Sequence, residues 1–482
     1  MPLHSVIAVI GAGTMGLGVA QVAATAGHRV VLIDMNADAL ERARTAITTS
    51  LDSLVSKGRL DPAAREAIQS RIQWSSSIAA AAGCALAIEV VVENVEVKRE
   101  VFSALEAIVS SDAILASNTS SLSIGDIATS LQSPRRFLGL HFFNPVPLMN
   151  LVEVVPGTAT DPTVVTAAMA LMRAWGKTPV AVADVPGFIV NRVARPYYGE
   201  AFAALAAGIA PAVIDLALTQ CGGFRMGPLA LSDMIGQDVN YTVASTLFEA
   251  YGGVTRFRLQ PAQKALVDTG ALGRKSGAGV YDYSVPVPKP AVAPTAPRPA
   301  AVAVGNGDMV LEQLCRDAGF APGGSPGGLM IVDGVTIACT DGRPLAARPD
   351  VSVLIDAVRD LGRARAVVLT ARTAQAGAIA AGLIQAGGRD ALFIPDRPGM
   401  IVLRILAQLA NAAADAVSDG VAEPDGIDAA LVHGAGHPEG PLAWARRTGY
   451  RTVATNLHNI AVGVGEPMYE PCPYLAQGDD IS

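Results

Sequence analysis

Val6-Ile7-Ala8-Val9-Ile10-Gly11-Ala12-Gly13-Thr14-Met15-Gly16 opens on five apolar residues and runs into a glycine turn. An unbroken apolar run of this kind predicts a strand buried on both faces, as in a parallel sheet. Met15–Ala26 predicts a helix rich in small residues, closed by Gly27, and Arg29–Ile33 a second buried strand. The G-x-G-x-x-G spacing is weak alone, because the chain holds 48 glycines. Here it follows a strand, opens a helix and lies in a strand–helix–strand unit of about 30 residues, the context in which it holds a dinucleotide. Gly11 permits the tight turn, Gly13 lets the backbone approach a pyrophosphate, and Gly16 lets helix and strand pack closely. Ala12, Thr14 and Met15 complete the loop. The helix N-terminus behind it offers N–H groups and positive potential to phosphates.

Asp34 ends the second strand, 18 positions after Gly16. That is close to the ~20 expected of the acid that binds ribose hydroxyls. A carboxylate there repels a 2′-phosphate, and Met35 and Asn36 supply no arginine to reverse the preference. The expected cofactor is therefore NAD. The competing reading is a strand–helix turn without a ligand, with Asp34 capping a helix.

Composition bounds the rest. The chain has 482 residues, 51% hydrophobic and 16% charged, the balance of a globular protein with large cores and not of a disordered chain. At roughly 100–200 residues per domain, it has room for three or four domains. A net charge of -7 gives no basic footprint for nucleic acid and no polybasic membrane anchor. No uninterrupted apolar stretch reaches the ~20 residues of a membrane span. The best candidate, Ile401–Val417, is broken by Arg404, Gln408, Asn411 and Asp415. Cys84, Cys221, Cys315, Cys339 and Cys472 are scattered without a CxxC pair. They read as reduced thiols, and no metal is expected. With no secretory pattern in MPLHSVIAVIGAG, the cytoplasm is the expected location.

Further candidate strands are Ala85–Ile88, Ala113–Ala116, Arg136–Leu140 and Leu151–Val155, with helical stretches such as Ala39–Ser56 and Val97–Val109 between several of them. This alternation predicts a Rossmann-type, doubly wound α/β sheet over residues 1–185. From Pro186 the texture changes, and residues 186–283 read as an all-helical domain. VPVPKPAVAPTAPRP at 285–299 reads as a semi-rigid, extended linker within 284–308 and as a poor candidate for any packed element. Short apolar runs at Leu329–Val332, Val351–Leu354, Ala366–Leu369 and Ala391–Ile394 predict a smaller, reduced Rossmann-like α/β unit over 309–395.

An internal repeat follows. Asp184-Val185-Pro186-Gly187-Phe188-Ile189-Val190-Asn191-Arg192 is echoed by Asp396-Arg397-Pro398-Gly399-Met400-Ile401-Val402-Leu403-Arg404. Ile214-Asp215 matches Ile427-Asp428, and Gly227-Pro228-Leu229 matches Gly440-Pro441-Leu442. Residues 396–482 are thus expected to be a second, degenerate copy of the helical domain.

Leu140-His141-Phe142-Phe143-Asn144-Pro145 places a histidine where a strand ends among aromatics. A lone histidine there is more often a satisfied core residue. Glu153, however, is a carboxylate inside the apolar strand Leu151–Val155, and buried carboxylates are costly unless paired. A His141–Glu153 partnership explains both: glutamate fixes the imidazole tautomer, and histidine acts as general base.

GAGTMG at 11–16, SNTSSL at 117–122, HFFNPVP at 141–147 and PGFIVNR at 186–192 together resemble the L-3-hydroxyacyl-CoA dehydrogenase family, over about residues 5–283. The longer C-terminal half resembles the extended bacterial members associated with phenylacetate degradation, for which the resemblance implies 3-hydroxyadipyl-CoA or 3-hydroxybutyryl-CoA as substrate. It implies that His141 takes the proton of the 3-hydroxyl, that Glu153 orients it, and that Ser120 and Asn191 hydrogen-bond the substrate. On the cofactor side it implies Glu93, Lys98, Ser120, Asn144 and Lys275, and for coenzyme A Ser50 and Lys57. Each has a plainer rival. Ser120 could belong to a helix cap, Asn191 to the surface, Lys98 to a solvated helix face and Lys275 to a flexible turn. Arg195, four positions after Asn191, would share a helix face with it. Its planar fork suits a distal carboxylate, a surface salt bridge or a coenzyme A phosphate.

The second half lacks a glycine turn that opens a helix, and Leu403 stands in the place of Asn191. It is expected to be catalytically silent, with residues 397–482 packing on 187–283. The chain would then be a homodimer, or a monomer with an internal pseudo-dimer. Two other classes share the scaffold: a non-catalytic, crystallin-like NAD-binding protein, and a dehydrogenase of free hydroxy acids or sugar acids.

Overall fold

The computed structural model describes residues 5–478. The first half builds strands β1 (Val6–Ile10), β2 (Arg29–Ile33), β3 (Ile72–Ser75), β4 (Leu86–Glu89), β5 (Ile114–Ser117), β6 (Phe137–Phe142), β7 (Leu151–Pro156) and β8 (Thr178–Ala181). Between them run α1 (Thr14–Thr25), α2 (Ala37–Ser56), α3 (Pro62–Ser70), α4 (Val95–Glu106), α5 (Ile124–Ala128) and α6 (Pro162–Ala174). The starts of α2, α3 and α4 are fixed by Asn36, Asp61 and Asn94, whose side chains accept the first free N–H groups. The Asn94 cap is why α4 begins two residues before the apolar pattern predicted.

The strand order is β3-β2-β1-β4-β5-β6-β7-β8. All neighbours are parallel except β6 and β7. The order reverses between β1 and β4, the place where sheets of this type take a ligand at the carboxyl ends of the strands. Ile7, Val9, Val30, Leu32, Ile88 and Leu138 are fully or nearly fully buried, as continuous apolar strands require. Strands β3 and β8 were not legible in advance. Both are short edge strands, β3 half-exposed and β8 carrying Pro179, which edges tolerate.

After the short helix α7 (Val190–Val193) come α8 (Arg195–Ala206), α9 (Pro211–Gln220), α10 (Pro228–Ile235), α11 (Gln237–Ala250) and α12 (Pro261–Asp268). The second sheet contains β9 (Val302–Val304), β10 (Met330–Val332), β11 (Val335–Cys339), β12 (Val353–Ile355), β13 (Ala366–Ala371) and β14 (Asp390–Phe393), with α13 (Met309–Asp317) and α14 (Ala374–Ala386). The chain ends in α15 (Val402–Ser418), α16 (Pro424–Gly434), α17 (Pro441–Thr448), α18 (Tyr450–Val464) and α19 (Pro473–Gln477). Two compact units result. One holds the chain up to Arg192 together with Asp419–Ala435, and the other holds Val193–Ser418 and the chain from Gly436 onward.

The proline-rich stretch departs from expectation. It forms no helix or strand, yet it is packed. Ala293 donates its N–H to Ala391 O, Ala296 donates to Gln385 Oε1, and Gln385 returns a hydrogen bond to Pro294 O. A side chain at Gly382 would stand 2.1 Å from Pro297 O, so the missing Cβ is what lets the strap lie on α14. Strand β9 also falls inside the span expected to be linker.

The second sheet runs in sequence order, β14-β13-β12-β11-β10-β9, with only β11–β12 and β13–β14 parallel. It therefore has no reversal of strand order. Its register shows that the repeat extends past the helices. Asp184 lies three residues after Ala181, which pairs with Val154; Asp396 lies three after Phe393, which pairs with Leu369. Glu153 then corresponds to Val368. Its cross-strand partner His141 corresponds to Asp356, whose N–H bonds Val368 O. Asp184 accepts the N–H groups of Ile124 and Gly125, and Asp396 those of Leu345 and Ala346. Phe188 and Met400, each after a positive-φ glycine, both adopt positive φ. The shared strain belongs to the fold, not to the chemistry of one copy.

In the second unit α8 packs on α15, so the two helical copies meet. Arg404 Nε lies 2.6 Å from Glu200 Oε2, and Tyr469 donates to Glu200 Oε1 at 2.8 Å. All three side chains are nearly inaccessible to solvent. Among the described residues no helix is long and apolar enough to cross a membrane.

Candidate active site

Gly11 has φ +112°, and a Cβ there would stand 2.6 Å from Val90 O; at Gly16 it would stand 1.8 Å from Gly11 O. Both positions exclude a side chain. At Gly13 nothing lies within 4 Å of a Cβ position, and no side chain caps the α1 N-terminus that it precedes. Open space beside uncapped N–H groups fits a pyrophosphate. Asp34 stands at the end of β2, where its Oδ2 accepts Ala12 N–H at 2.8 Å and its Oδ1 accepts Asn36 N–H at 2.9 Å. The acid is thus oriented by the glycine turn itself, and its unused lone pairs suit ribose hydroxyls. Glycine turn and acid together fit NAD.

Behind the turn lies a charged network only partly visible in the sequence. Glu89, at the end of β4, is fully buried; Lys98 is 1% exposed. Glu89 Oε1 accepts Lys98 Nζ and Val91 N–H, each at 2.7 Å, and Oε2 accepts Ser117 Oγ at 2.7 Å. Lys98 Nζ also lies 3.3 Å from Glu93 Oε2. Glu93 Oε1 gathers Thr119 Oγ1 at 2.6 Å, Ser120 N–H at 2.9 Å and Ser121 Oγ at 2.9 Å. Burial pushes the Glu93 carboxyl up, but the Thr119 hydroxyl, the Lys98 charge and the loop donors outweigh it and hold it below the ordinary glutamate range. Lys98 is therefore no solvated lysine, and Glu93 clamps the loop that carries Ser120. Glu89 was missed although its signal is close to the one that singled out Glu153: Glu153 lies inside a buried apolar strand, and Glu89 closes one.

His141 and Glu153 are brought together. They are register partners on β6 and β7, and His141 Nδ1 lies 2.6 Å from Glu153 Oε2. Glu153 is fully buried and His141 is 7% exposed. Glu153 Oε1 accepts the N–H groups of Ile189 and Val190, both at 3.0 Å, so the carboxylate also caps the start of α7, where Asn191 stands. The imidazole packs against Phe143 and Phe188, with ring centroids 4.4 Å and 5.8 Å away. Held at Nδ1, it keeps Nε2 for other work.

Asn144 heads the β6–β7 loop in a cis peptide with Pro145. Lys177 fastens that loop, donating to Val146 O at 2.6 Å and Met149 O at 2.7 Å, and burial pushes its ammonium down to about 8. Asn118 Oδ1 accepts Phe142 N–H at 2.8 Å and ties β6 to β5. Neither tie was visible in the sequence, since both are long-range side-chain contacts to backbone. Ser50 lies on α2 and the exposed Lys57 caps its end. Lys275 and Arg195 belong to the second unit. Lys275 pairs with Asp238 at 2.6 Å. Arg195 is stacked 5.0 Å over the Tyr198 ring, and burial pushes its guanidinium below its ordinary range. Asn191 and Arg195 do not share one helix as expected: α7 ends at Val193 and α8 begins at Arg195. Pro196, lacking an N–H, cannot continue the hydrogen-bond ladder across the junction.

The corresponding positions of the second half hold different chemistry. The register that equates His141 with Asp356 and Glu153 with Val368 also equates Ser120 with Asp341, while Leu403 replaces Asn191. Asp356 is fully buried and accepts the N–H groups of Ile401, Val402 and Leu403 at 2.8–3.0 Å. One aspartate at the histidine position has taken over the capping that Glu153 performs in the first half.

Comparison with known proteins accords with this geometry. Residues 6–185 match the 3-hydroxyacyl-CoA dehydrogenase NAD binding domain, and residues 187–283 and 399–480 match the C-terminal domain of the same family. The chain is 40% identical to the 3-hydroxyadipyl-CoA dehydrogenase of Escherichia coli (strain K12) over 98% of this chain and 96% of that one. It is 38% identical to the 3-hydroxybutyryl-CoA dehydrogenase of Clostridioides difficile over 58% of this chain and 99% of that one. The crystal structure of 3-hydroxybutyryl-CoA dehydrogenase from Escherichia coli K12 superposes with a TM-score of 0.90 at 39% identity, covering 99% of this chain and 98% of that one. The chain belongs to the 3-hydroxyacyl-CoA dehydrogenase family and is an NAD-dependent oxidoreductase of 3-hydroxyacyl-CoA thioesters.

Proposed function

We propose that His141 is the general base of this reaction and Glu153 its positioning partner. The observation that carries the assignment is the buried 2.6 Å Nδ1–Oε2 contact, with the second carboxylate oxygen held by two backbone N–H groups. In oxidation, His141 Nε2 takes the proton of the substrate 3-hydroxyl, and Glu153 stabilises the imidazolium so formed. Ser120, held by Glu93, and Asn191, at the start of α7, hydrogen-bond the substrate oxygen and thioester region. Bound NAD supplies the hydride acceptor. Gly11–Gly16 would hold its pyrophosphate and Asp34 its ribose hydroxyls, and Glu93, Lys98, Asn144 and Lys275 are assigned to the cofactor. Ser50 and Lys57 are assigned to coenzyme A. The test is NADH oxidation with acetoacetyl-CoA. His141→Ala should lose about 10²–10⁴-fold in kcat while NADH affinity holds. A rate near wild type refutes the base assignment, and normal NADH binding without turnover of any acyl-CoA by the wild type would point to a structural protein.

The sequence match and the crystal-structure match from Escherichia coli carry names with different acyl chains, adipyl and butyryl. We assign the dicarboxylic chain to this protein, with Arg195 as its distal carboxylate contact, because a planar guanidinium fork suits a carboxylate and the relative aligned over 98% of this chain is named for the adipyl chain. Arg195→Ala should lower kcat/KM for hydroxyadipyl-CoA more than for hydroxybutyryl-CoA; equal losses remove the role. The packing of α8 on α15 supports a monomer with an internal pseudo-dimer, and the replaced positions Asp341, Asp356, Val368 and Leu403 support one active site per chain. Five free cysteines favour the cytoplasm.

A further inference from the structure

Helix α16 comes from the second half of the chain but packs on β7 and β8 of the first sheet. Its counterpart in the repeat, α9, packs on β13, and β13 is the counterpart of β7. The two halves thus exchange equivalent helices across equivalent strands. Leu151 and Glu153 are two residues apart on β7 and share one face of the sheet. Val180 on β8 is the register partner of Glu153, and His141 its partner on β6, so these side chains stand on that face too.

Helix α16 lies on this face through glycines eight residues apart, a spacing that keeps them on one side of a helix. A Cβ at Gly434 would stand 2.4 Å from Leu151 Cδ2 and 3.1 Å from Val190 Cγ2; one at Gly426 would stand 3.0 Å from Val180 Cγ1. Ala430, one turn from each, is fully buried. The helix backbone therefore approaches as closely as the missing side chains allow. It bears at once on the strand that carries Glu153 and on Val190, whose N–H Glu153 accepts.

We propose that Gly434 and Gly426 of α16 are positioning residues for the His141–Glu153 pair, which makes the non-catalytic half a working part of the active site. This rests on the assignment of His141 and Glu153 given above. A β-branched side chain at Gly434 must push β7 and the start of α7 outward, because Leu151 is fully buried and its methyl cannot simply swing into solvent. Displacements on the order of 1 Å at reacting groups cost about 10²-fold in rate.

The experiment uses the full chain, acetoacetyl-CoA and NADH. Gly434→Val should lower kcat at least about tenfold, with NADH affinity changed less than about twofold, because the glycine turn is built on β1 and α1. Adding Leu151→Ala to Gly434→Val makes room for the valine and should restore most of the lost kcat. Should Gly434→Val fail to fold, Gly434→Ala, which conflicts chiefly with the end of Leu151, should show a smaller kcat loss relieved by the same second change. Wild-type kcat in Gly434→Val, or a loss that Leu151→Ala leaves untouched, overturns the proposal. Glu153→Gln and His141→Ala run alongside: if they keep full kcat, it is the underlying assignment that fails, whatever the glycine variants do.

Discussion

His141 on β6 and Glu153 on β7 are direct cross-strand partners, joined at 2.6 Å in the one antiparallel step of an otherwise parallel run of neighbours. Antiparallel pairing sets two side chains squarely opposite each other on one face. Glu153→Gln keeps the shape and removes the charge that fixes the imidazole. The variant should lose about 10²–10⁴-fold in kcat, the range for a mis-set or unsupported histidine base. NADH affinity, measured by fluorescence titration, should stay near wild type. A loss confined to KM would place Glu153 in binding and not in support of the base.

Glu93 gives a pH-dependent signature. Its carboxyl is held below the ordinary glutamate value of 4.5 in the folded protein. The unfolded chain therefore binds the proton more readily, and stability rises with pH across the window between the two values. The contribution is complete above the unfolded value and disappears as pH falls through the folded one. The gap in Tm between wild type and Glu93→Gln should accordingly be constant near neutrality and close below about pH 4.5. A gap that persists unchanged in acid would show that packing, not charge, is what Glu93 supplies.

Arg404 and Glu200 tie the two helical copies together without solvent. Removing one partner of a buried pair strands the other charge, which typically costs about 3–5 kcal/mol. Arg404→Met should show a loss of that size in denaturant unfolding. Glu200→Leu combined with Arg404→Met should recover much of it, because an apolar pair of similar volume replaces an ion pair at little cost. Loss in the double variant as large as in the single one would locate the stabilisation in the helices' shape and not in the charges.

The strands and helices around the glycine turn were legible because their signals are local. Val6–Ile10 and Arg29–Ile33 are apolar runs bounded by turn residues, and they stand where the pattern put them. His141 with Glu153 was legible because a carboxylate in an apolar strand needs a partner. Glu89 and Lys98 were not joined in advance, since their pairing depends on β4 and the start of α4 converging. Lys177 and Asn118 act on backbone carbonyls and N–H groups far along the chain, which leave no mark in composition. The packed strap at 293–298 was misread because proline density describes stiffness, not contact; its docking depends on one glycine, Gly382, in another element. The equivalence of Asp356 with His141 was hidden for a different reason. So few residues are shared outside the D-x-P-G motif that only strand register reveals it.

Truncation after Pro294 tests what the second half contributes. The shortened chain loses α15, which covers α8, and α16, which covers β7. It keeps α9, the counterpart of α16, and α7 and α8, the counterparts of the start and the remainder of α15. Two truncated chains can therefore offer one another what the missing half supplied, α8 against α8 and α9 against β7. The fragment should associate in pairs, as measured by sedimentation or light scattering, and its specific activity should rise with protein concentration as pairs form. The full chain has both helices built in, so its specific activity should be independent of concentration. A truncated chain that is monomeric and fully active at every concentration would mean that neither the helical contact nor α16 is needed, and both readings of the second half would fall together.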